Sequence, residues 1–210
     1  FEVVTGVQTC ALPICGLYAE RLAVSKINTV APDWSGIAFH NDSFVDVSSE
    51  DYRDKWAVMF FYPADFSYVC PTELEDLADN YAQLQRMGVE VYSVSTDKHH
   101  SHKAWHDSSK RIQKISYPMV ADPTGKISRA FEALDEESGC AYRCTFLIDP
   151  SGIIQYVETT SDAVGRSAGE LLRKVRAAQY IYDHPDEVCP ANWDLGESTI
   201  TPTFDLSGKL

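Results

Sequence analysis

The stretch between residues 55 and 96 constrains the fold most, because two strand patterns flank one helical pattern. The segment Lys55–Pro63 is short and mostly apolar, with a charge at one end and a proline at the other, which favours a fully buried strand. From Pro71 onward, apolar residues recur every three or four positions up to Gly88, which is typical of a helix that ends at a glycine. Val89–Thr96 is again rich in strand-forming residues. This order predicts a β-α-β unit with two parallel strands joined by a crossover.

The segments that follow predict further elements around this unit. We expect a polar helix over His99–Ile115 and a strand over Tyr117–Ala121. Cys144–Ile148 and Ile153–Thr159 are joined by an Asp-Pro-Ser-Gly turn and predict an antiparallel hairpin. Ser167-x-x-Glu170 is a capping-box pattern at the start of a last helix. The complete order is typical of an α/β protein with a thioredoxin-like sandwich, in which helices flank a central mixed sheet.

We expect three regions along the chain. Residues 1–15 are predicted to be a non-native or disordered leader, and we assign no function to its two cysteines, Cys10 and Cys15. The thioredoxin-like domain is expected to span residues 16–183. Beyond it the chain has three prolines and little periodicity, so residues 184–210 are predicted to form an extended C-terminal tail on another surface.

The charge of the chain argues against two classes of partner. Its 210 residues include 31 acidic and 18 basic side chains, for a net charge of −13. Sequence-independent binding of nucleic acid needs a basic face that neutralises phosphates, and docking on anionic lipid needs one as well. The longest uninterrupted apolar run, Trp56–Tyr62, is far shorter than a membrane span. We therefore expect no nucleic-acid partner and no membrane partner.

Six cysteines lie at positions 10, 15, 70, 140, 144 and 189, and no two of them have the C-x-x-C spacing of a zinc knuckle or of a thioredoxin-type dithiol. Cys70 differs from the others because it follows a predicted buried strand and a short loop, and immediately precedes Pro71. The unpaired N–H groups and the dipole at the start of a helix stabilise an anion such as a thiolate. Position alone leaves a second interpretation open, in which Cys70 is a small buried residue at a strand–helix junction.

The residues around Cys70 favour the first interpretation. The segment Phe61–Glu73, FYPADFSYVCPTE, resembles the active-site motif of the peroxiredoxins, Pro-x-x-x-Thr/Ser-x-x-Cys. The resemblance extends over residues 22–210 and includes, in order, Ser95–Asp97, His102–His106, Asp122–Gly125, Arg143–Pro150 and Glu187–Trp193. It is strongest to the typical two-cysteine peroxiredoxins of the bacterial alkyl hydroperoxide reductase branch.

This resemblance implies a role for five residues at the predicted site. Cys70 would be the peroxidatic thiolate that attacks one peroxide oxygen, and Pro63 would shield that thiolate from water. Ser67, where threonine is commoner in the family, would offer its hydroxyl to the peroxide and the sulfur. Arg143 would stabilise the negative charge on the sulfur and in the transition state, and Glu73 would orient the guanidinium of Arg143.

Cys189 would be the resolving cysteine, which attacks the Cys70 sulfenic acid and forms a disulfide. A sulfenic acid condenses with any thiol that reaches it, so the residues alone do not decide between a partner in the same chain and one in another chain. The resemblance implies an intersubunit Cys70–Cys189 disulfide and hence a homodimer. It also implies that five dimers close into a decameric ring.

The expected function is a thiol peroxidase that reduces hydrogen peroxide and organic hydroperoxides with no cofactor and no metal of its own. The resemblance implies a flavin-containing, NADH-using disulfide reductase as the electron donor, with thioredoxin as the alternative donor. The cytoplasm is the expected compartment, because the cycle depends on a supply of reducing equivalents. Two other functions stay open, namely a thioredoxin-type oxidoreductase, which the missing C-x-x-C argues against, and a non-catalytic ring that acts as a holdase or scaffold.

The remaining cysteines depart from the family pattern. Alternation along the predicted strand puts Cys144 on the face opposite Arg143, which favours a plain core thiol. A Cys140–Cys144 disulfide, or Cys140 as a rival resolving thiol, is the alternative. The segment Glu137–Ala141 stands where peroxiredoxins sensitive to overoxidation carry a Gly-Gly-Leu-Gly insertion, so we expect relative resistance to inactivation by peroxide.

Four histidines, at positions 99, 100, 102 and 106, cluster on the predicted polar helix. His102 and His106 are four residues apart and could share one helix face as metal ligands. Since neither a carboxylate nor a cysteine completes a recognisable ligand set, a solvated polar helix face is the expected arrangement.

Overall fold

The structure, a computed structural model, describes residues 26–209 of the chain. The leader predicted over residues 1–15, with Cys10 and Cys15, lies outside the described residues, as does the predicted start of the domain at residue 16.

Seven strands of the described chain form one mixed sheet in the order β2-β1-β5-β4-β3-β6-β7. The strands are β1 (Ser35–His40), β2 (Ser43–Ser48), β3 (Trp56–Phe61), β4 (Val89–Ser95), β5 (Met119–Ala121), β6 (Arg143–Ile148) and β7 (Ile154–Thr160). The pairs β3–β4 and β4–β5 are parallel, and the other neighbouring pairs are antiparallel. A mixed sheet in this order confirms the predicted α/β class.

Four α-helices accompany the strands in the described residues: α1 (Cys70–Arg86), α2 (His99–Ser108), α3 (Lys126–Ala130) and α4 (Ala168–Asp183). Short 3₁₀ turns lie at Ser49–Tyr52, Ile112–Lys114 and Phe204–Leu206. None of these helices combines the length and the apolar character needed to cross a membrane.

The sheet separates two apolar cores because successive side chains of a strand point to opposite faces. All six residues of β3 are buried, as the sequence predicts. Val58 and Phe60 pack with side chains of α1, α2 and α4 on one face, whereas Met59 and Phe61 pack with α3 and the loops on the other. The parallel pairing of β3 with β4, with α1 between them in the chain, confirms the predicted β-α-β unit.

Two sequence predictions of secondary structure differ from the structure. The polar helix predicted to reach Ile115 ends at Ser108, whose hydroxyl donates to the Trp105 carbonyl at 3.2 Å. Serine side chains compete with the helix for backbone groups, and this favours termination. The hairpin of β1 and β2 was not predicted, although its turn residues Asn41 and Asp42 have φ values of 48° and 59°, which asparagine and aspartate tolerate well.

The last helix begins where the capping-box pattern predicts, but its cap is a different residue. Ser167 occupies the N-cap position and makes no side-chain capping hydrogen bond. Instead, the Ala168 N–H donates to Asp76 Oδ2 of α1 at 2.7 Å. The start of α4 is therefore fixed to α1 by a carboxylate that is 92 residues away in sequence.

The residues after Asp183 fold back along α4. Trp193 is 1% exposed, and its backbone carbonyl accepts a hydrogen bond from Arg173 Nη1 of α4 at 3.2 Å. Arg176, one turn further along α4, forms an ion pair with Asp194 at 2.9 Å. The tail is thus docked on the helix that precedes it, whereas the division of the chain at residue 183 stays a prediction.

Candidate active site

Cys70 is the first residue of α1 and follows the loop of residues 62–69, which leaves β3 and is called the Cys70 loop below. Its side chain is fully buried, with 0% exposed. Pro71 occupies the first turn of the helix, where a missing N–H costs nothing. The thiol therefore lies at the N-terminus of a 17-residue helix, the end at which the helix dipole is positive.

Arg143 lies against the Cys70 thiol. Its Nη1 atom donates to Cys70 Sγ at 3.2 Å and to Glu73 Oε2 at 2.6 Å. The sheet explains this contact, because β6 is antiparallel to β3 and Cys144 is paired with Phe61, so β6 starts beside the end of β3. Burial alone would lower the pKa of Arg143, but the hydrogen bond to Cys70 and the charges of Cys70 and Glu73 raise it, and the guanidinium stays charged.

Glu73 is one turn along α1 from Cys70 and faces the same way. A second arginine, Arg166, reaches this carboxylate from the segment before α4. The Arg166 backbone N–H and Nε both donate to Glu73 Oε1, at 2.8 and 3.0 Å, and Nη2 donates to Oε2 at 3.2 Å. The guanidinium also donates to Thr145 Oγ1 at 3.1 Å and lies 3.6 Å from the centre of the Phe60 ring. Arg166 is not among the residues predicted from the sequence, because a single arginine in a loop carries no periodic signal.

Ser67 and Pro63 lie in the Cys70 loop, as predicted, and both are partly buried. The Ser67 hydroxyl donates to the Ala64 carbonyl at 2.9 Å and so closes a turn of the loop. The structure therefore brings Cys70, Arg143 and Glu73 together directly. Ser67 lies in the Cys70 loop, and its hydroxyl donates to the backbone of that loop rather than to the Cys70 sulfur.

Comparisons with known proteins show which family this chain belongs to. Residues 27–157 match the AhpC/TSA family. The chain belongs to the AhpC/TSA family. It is 54% identical over 187 residues to alkyl hydroperoxide reductase C of Salmonella typhimurium, with 89% of this chain and 100% of that one covered. It is 58% identical over 173 residues to alkyl hydroperoxide reductase C of Bacillus subtilis, with 82% and 92% covered.

A solved structure is also similar to this AhpC/TSA chain over most of its length. The crystal structure of the reduced 2-Cys peroxiredoxin of Plasmodium vivax matches it with a TM-score of 0.82 and 30% sequence identity. The match covers 86% of this chain and 95% of that one. The thioredoxin-like fold and the resemblance to the peroxiredoxins are both confirmed.

The four cysteines that the structure describes in this family member are all free thiols. Cys144 is 3% exposed, and its Sγ is 3.2 Å from Thr159 Oγ1. Burial raises the pKa of Cys144, although the hydrogen bond to Thr159 and the charge of Arg166 act against that shift. Cys144 thus matches the predicted core thiol on the face opposite Arg143. Cys140 is partly exposed and unpaired in the loop before β6, and its redox role stays a prediction.

Cys189 is partly exposed on the docked tail, with its Sγ 4.0 Å from the Ala177 carbonyl of α4. Partial burial and the nearby charge of Glu187 raise the pKa of the Cys189 thiol. Cys189 is not paired with Cys70 in this structure.

The prediction of a solvated histidine face is right for His100, which is exposed, and wrong for His102, which is 0% exposed. His102 and Trp105 lie three residues apart on α2, and this face of the helix packs into the core. His106 lies near Asp42 and Asp107, with possible ligand atoms within 4.8 Å of one another. We assign no metal to this group, since Lys103 Nζ already donates to Asp107 at 2.6 Å.

Proposed function

We propose that this chain is a thiol-dependent peroxidase in which the Cys70 thiolate attacks hydroperoxides. The observation that carries the proposal is the contact of 3.2 Å between Cys70 Sγ and Arg143 Nη1 at the start of α1. A charged guanidinium in this place stabilises the thiolate and the negative charge that develops on the peroxide oxygens. The relatives named alkyl hydroperoxide reductase C support alkyl hydroperoxides as a substrate class. Hydrogen peroxide is the second proposed substrate.

In the first step, a lone pair of the Cys70 sulfur attacks one oxygen of the hydroperoxide and the O–O bond breaks. The sulfur is oxidised to a sulfenic acid, and the second oxygen leaves as an alcohol, or as water from hydrogen peroxide, after it takes up a proton. Pro63 and Ser67 belong to the Cys70 loop. Pro63 would exclude water from the thiol, and the Ser67 hydroxyl would bind the peroxide. Glu73 would keep Arg143 directed at the sulfur through its bond of 2.6 Å.

In the second step, the Cys189 sulfur attacks the sulfenic sulfur, a disulfide forms and water leaves. Cys70 is 0% exposed, so a small peroxide reaches it through local movements of the loop, whereas a cysteine on another segment needs the larger opening of the first turn of α1. We infer that Cys189 comes from a second copy of the chain. This inference is supported by β7, the last strand of the sheet, whose outer side pairs with no strand of residues 26–209 and so offers a place for a strand of a second copy. The resulting homodimers would assemble into a decameric ring.

The disulfide would then be reduced by exchange with a partner dithiol, which supplies two electrons and two protons per cycle. Partial exposure of Cys189 on the tail supports access for such a partner. A flavin-containing disulfide reductase is the proposed donor, thioredoxin is the alternative, and the cytoplasm is the proposed compartment.

The test is to reduce the full chain, add one equivalent of hydrogen peroxide, and analyse it by non-reducing gel and peptide mapping. We expect a covalent dimer linked from Cys70 to Cys189. Cys70→Ser and Cys189→Ser should both abolish the dimer, whereas Cys140→Ser should leave it unchanged. Oxidation of Cys70 in a chain that stays monomeric would overturn the intersubunit disulfide but keep the peroxidase. A Cys70 that does not react would overturn the proposed function.

A further inference from the structure

A second buried polar cluster lies at the middle of the Cys70 loop. The Asp65 carboxylate accepts a hydrogen bond from the Tyr62 hydroxyl at 2.8 Å and lies 2.8 Å from His102 Nδ1 of α2. The side chains of Asp65 and His102 are 1% and 0% exposed. The Asp65 N–H donates to Asp97 Oδ2, just beyond β4, at 2.8 Å. The loop is therefore tied at its midpoint to α2 and to the end of β4.

Both ring nitrogens of His102 have hydrogen-bond partners. Nδ1 lies 2.8 Å from Asp65 Oδ2 and 3.4 Å from the Tyr62 hydroxyl, and Nε2 lies 3.2 Å from the Val120 carbonyl. The buried side chains of Asp65 and His102 therefore form a hydrogen bond. Because both are buried, loss of either partner leaves the other without a replacement from solvent.

We propose that Asp65 and His102 are positioning residues for the peroxide reaction of Cys70. The residue after Asp65, Phe66, has a φ of 52°, a left-handed conformation that a non-glycine residue adopts only when its surroundings enforce it. The ring of Phe66 lies 5.9 Å from that of Trp105 on α2. Attachment of Asp65 to the same helix keeps this strained turn in place.

The turn continues directly into the residues that surround the thiol. Ser67 bonds back to the Ala64 carbonyl, and Cys70 follows three residues later at the helix start. A loop released from His102 would therefore relax its strained turn and shift the Cys70 sulfur relative to Arg143. A displacement of about 1 Å at a reacting centre can lower a rate about a hundredfold.

This inference rests on the proposed function and predicts opposite effects on its two steps. Oxidation of Cys70 requires the folded loop, whereas attack by Cys189 requires the first turn of α1 to open. A loop without its tether should therefore react more slowly with peroxide and form the disulfide more quickly once oxidised. A variant that is merely less stable would unfold at a lower temperature without separating the two steps in this way.

The experiment follows tryptophan fluorescence by stopped flow when reduced full-length chain is mixed with hydrogen peroxide, since Trp105 lies beside Phe66 and Tyr62. In His102→Ala and Asp65→Ala, we expect Cys70 oxidation to slow by about 10- to 100-fold and disulfide formation to accelerate. Asp65→Asn should restore most of the oxidation rate, because its amide can donate to the His102 imidazole and still accept from Tyr62. His100→Ala, an exposed histidine on the same helix, is the matched control.

The inference would be overturned if Cys70 were oxidised at the wild-type rate in folded His102→Ala and Asp65→Ala. It would also be overturned if Cys70 oxidation were as slow in Asp65→Asn as in Asp65→Ala. If the alanine variants do not fold, Tyr62→Phe decides, because it removes one hydrogen bond to Asp65 and fills the same space. We expect Tyr62→Phe to slow Cys70 oxidation and to accelerate disulfide formation, each by a smaller factor than in the alanine variants. Unchanged rates would overturn the proposal. Wild-type protein is measured first, since a wild-type Cys70 that does not react with peroxide overturns the proposed function instead.

Discussion

Glu73 is the residue on which both buried arginines of the site converge. Its two carboxylate oxygens accept hydrogen bonds from Arg143 and from the backbone and side chain of Arg166, and its side chain is 1% exposed. The carboxylate connects the helix that carries Cys70, the strand that carries Arg143 and the segment before α4. We therefore expect its removal to lower the stability of the domain and to disturb the proposed site.

Replacement of Glu73 by glutamine should leave two buried guanidinium groups without their shared carboxylate. We expect Glu73→Gln to lower the free energy of unfolding by about 3–5 kcal/mol, the usual cost of breaking a buried ion pair. Glu75→Gln, on the same helix, is the matched control. Glu75 pairs with Arg111 and Lys114 near the surface, where such a pair contributes about 0–1 kcal/mol. Urea unfolding measures the free energy of unfolding of both variants. Equal losses in the two would contradict the role of Glu73 as the shared partner of the two buried arginines.

The site residues that could be predicted from the sequence are those with a local signal, and the residues that were missed are brought to the site only by the fold. Cys70, Glu73 and Pro63 lie within one continuous motif, and Arg143 starts a strand with a clear pattern. Arg166 lies in a loop outside the motifs that carry the resemblance. His102 lies in one of them, but was grouped with the other histidines of α2, which are exposed or partly buried. Only the packing of α2 against the sheet shows that His102 is buried.

At the scale of elements, the junction between α1 and α4 shows the same distinction. The sequence placed the start of α4 correctly, because the Ser167 pattern marks a helix start. The actual cap, Asp76, lies on another helix and could not be found from local spacing.

Asp76→Ala should therefore destabilise the domain, because it leaves the Ala168 N–H without its acceptor. We expect a loss of about 1 kcal/mol in the free energy of unfolding, within the range measured for helix caps. Ser167→Ala should change it far less, since the Ser167 side chain makes no capping bond. Thermal unfolding of the two variants shows which residue caps the helix. A larger loss of stability in Ser167→Ala than in Asp76→Ala would support the capping box predicted from the sequence.

At the scale of the whole molecule, the tail that carries Cys189 is attached to the domain through Trp193. The Trp193 side chain is buried against α4, with its ring 5.0 Å from that of Tyr180, and the indole N–H donates to the Glu197 carbonyl. The proposed division at residue 183 implies that the tail can detach while the domain stays folded.

Trp193→Ala tests that division. Truncation of a buried tryptophan usually lowers the free energy of unfolding by about 3–5 kcal/mol. Here we expect it to weaken the docking of the tail on α4 and to leave the domain folded. Limited proteolysis should then cut residues 184–210 faster, while the unfolding midpoint of the domain changes little. Leu195→Ala, a tail residue that is 70% exposed, is the control and should be cut at the wild-type rate. Unfolding of the whole chain at a lower temperature would instead show that the tail is part of the domain.

The pair of buried arginines has a consequence for the electrostatics of the cycle. With Cys70 as a thiolate, the formal charges of Cys70, Glu73, Arg143 and Arg166 sum to zero. In the proposed cycle, conversion of that sulfur to a neutral sulfenic acid removes one negative charge and leaves the group at +1, and the disulfide that follows keeps it there. An unpaired charge is costly in a buried site, so oxidation itself favours entry of water and opening of the first turn of α1. Return of the electrons restores neutrality, and the closed site is again the favoured state.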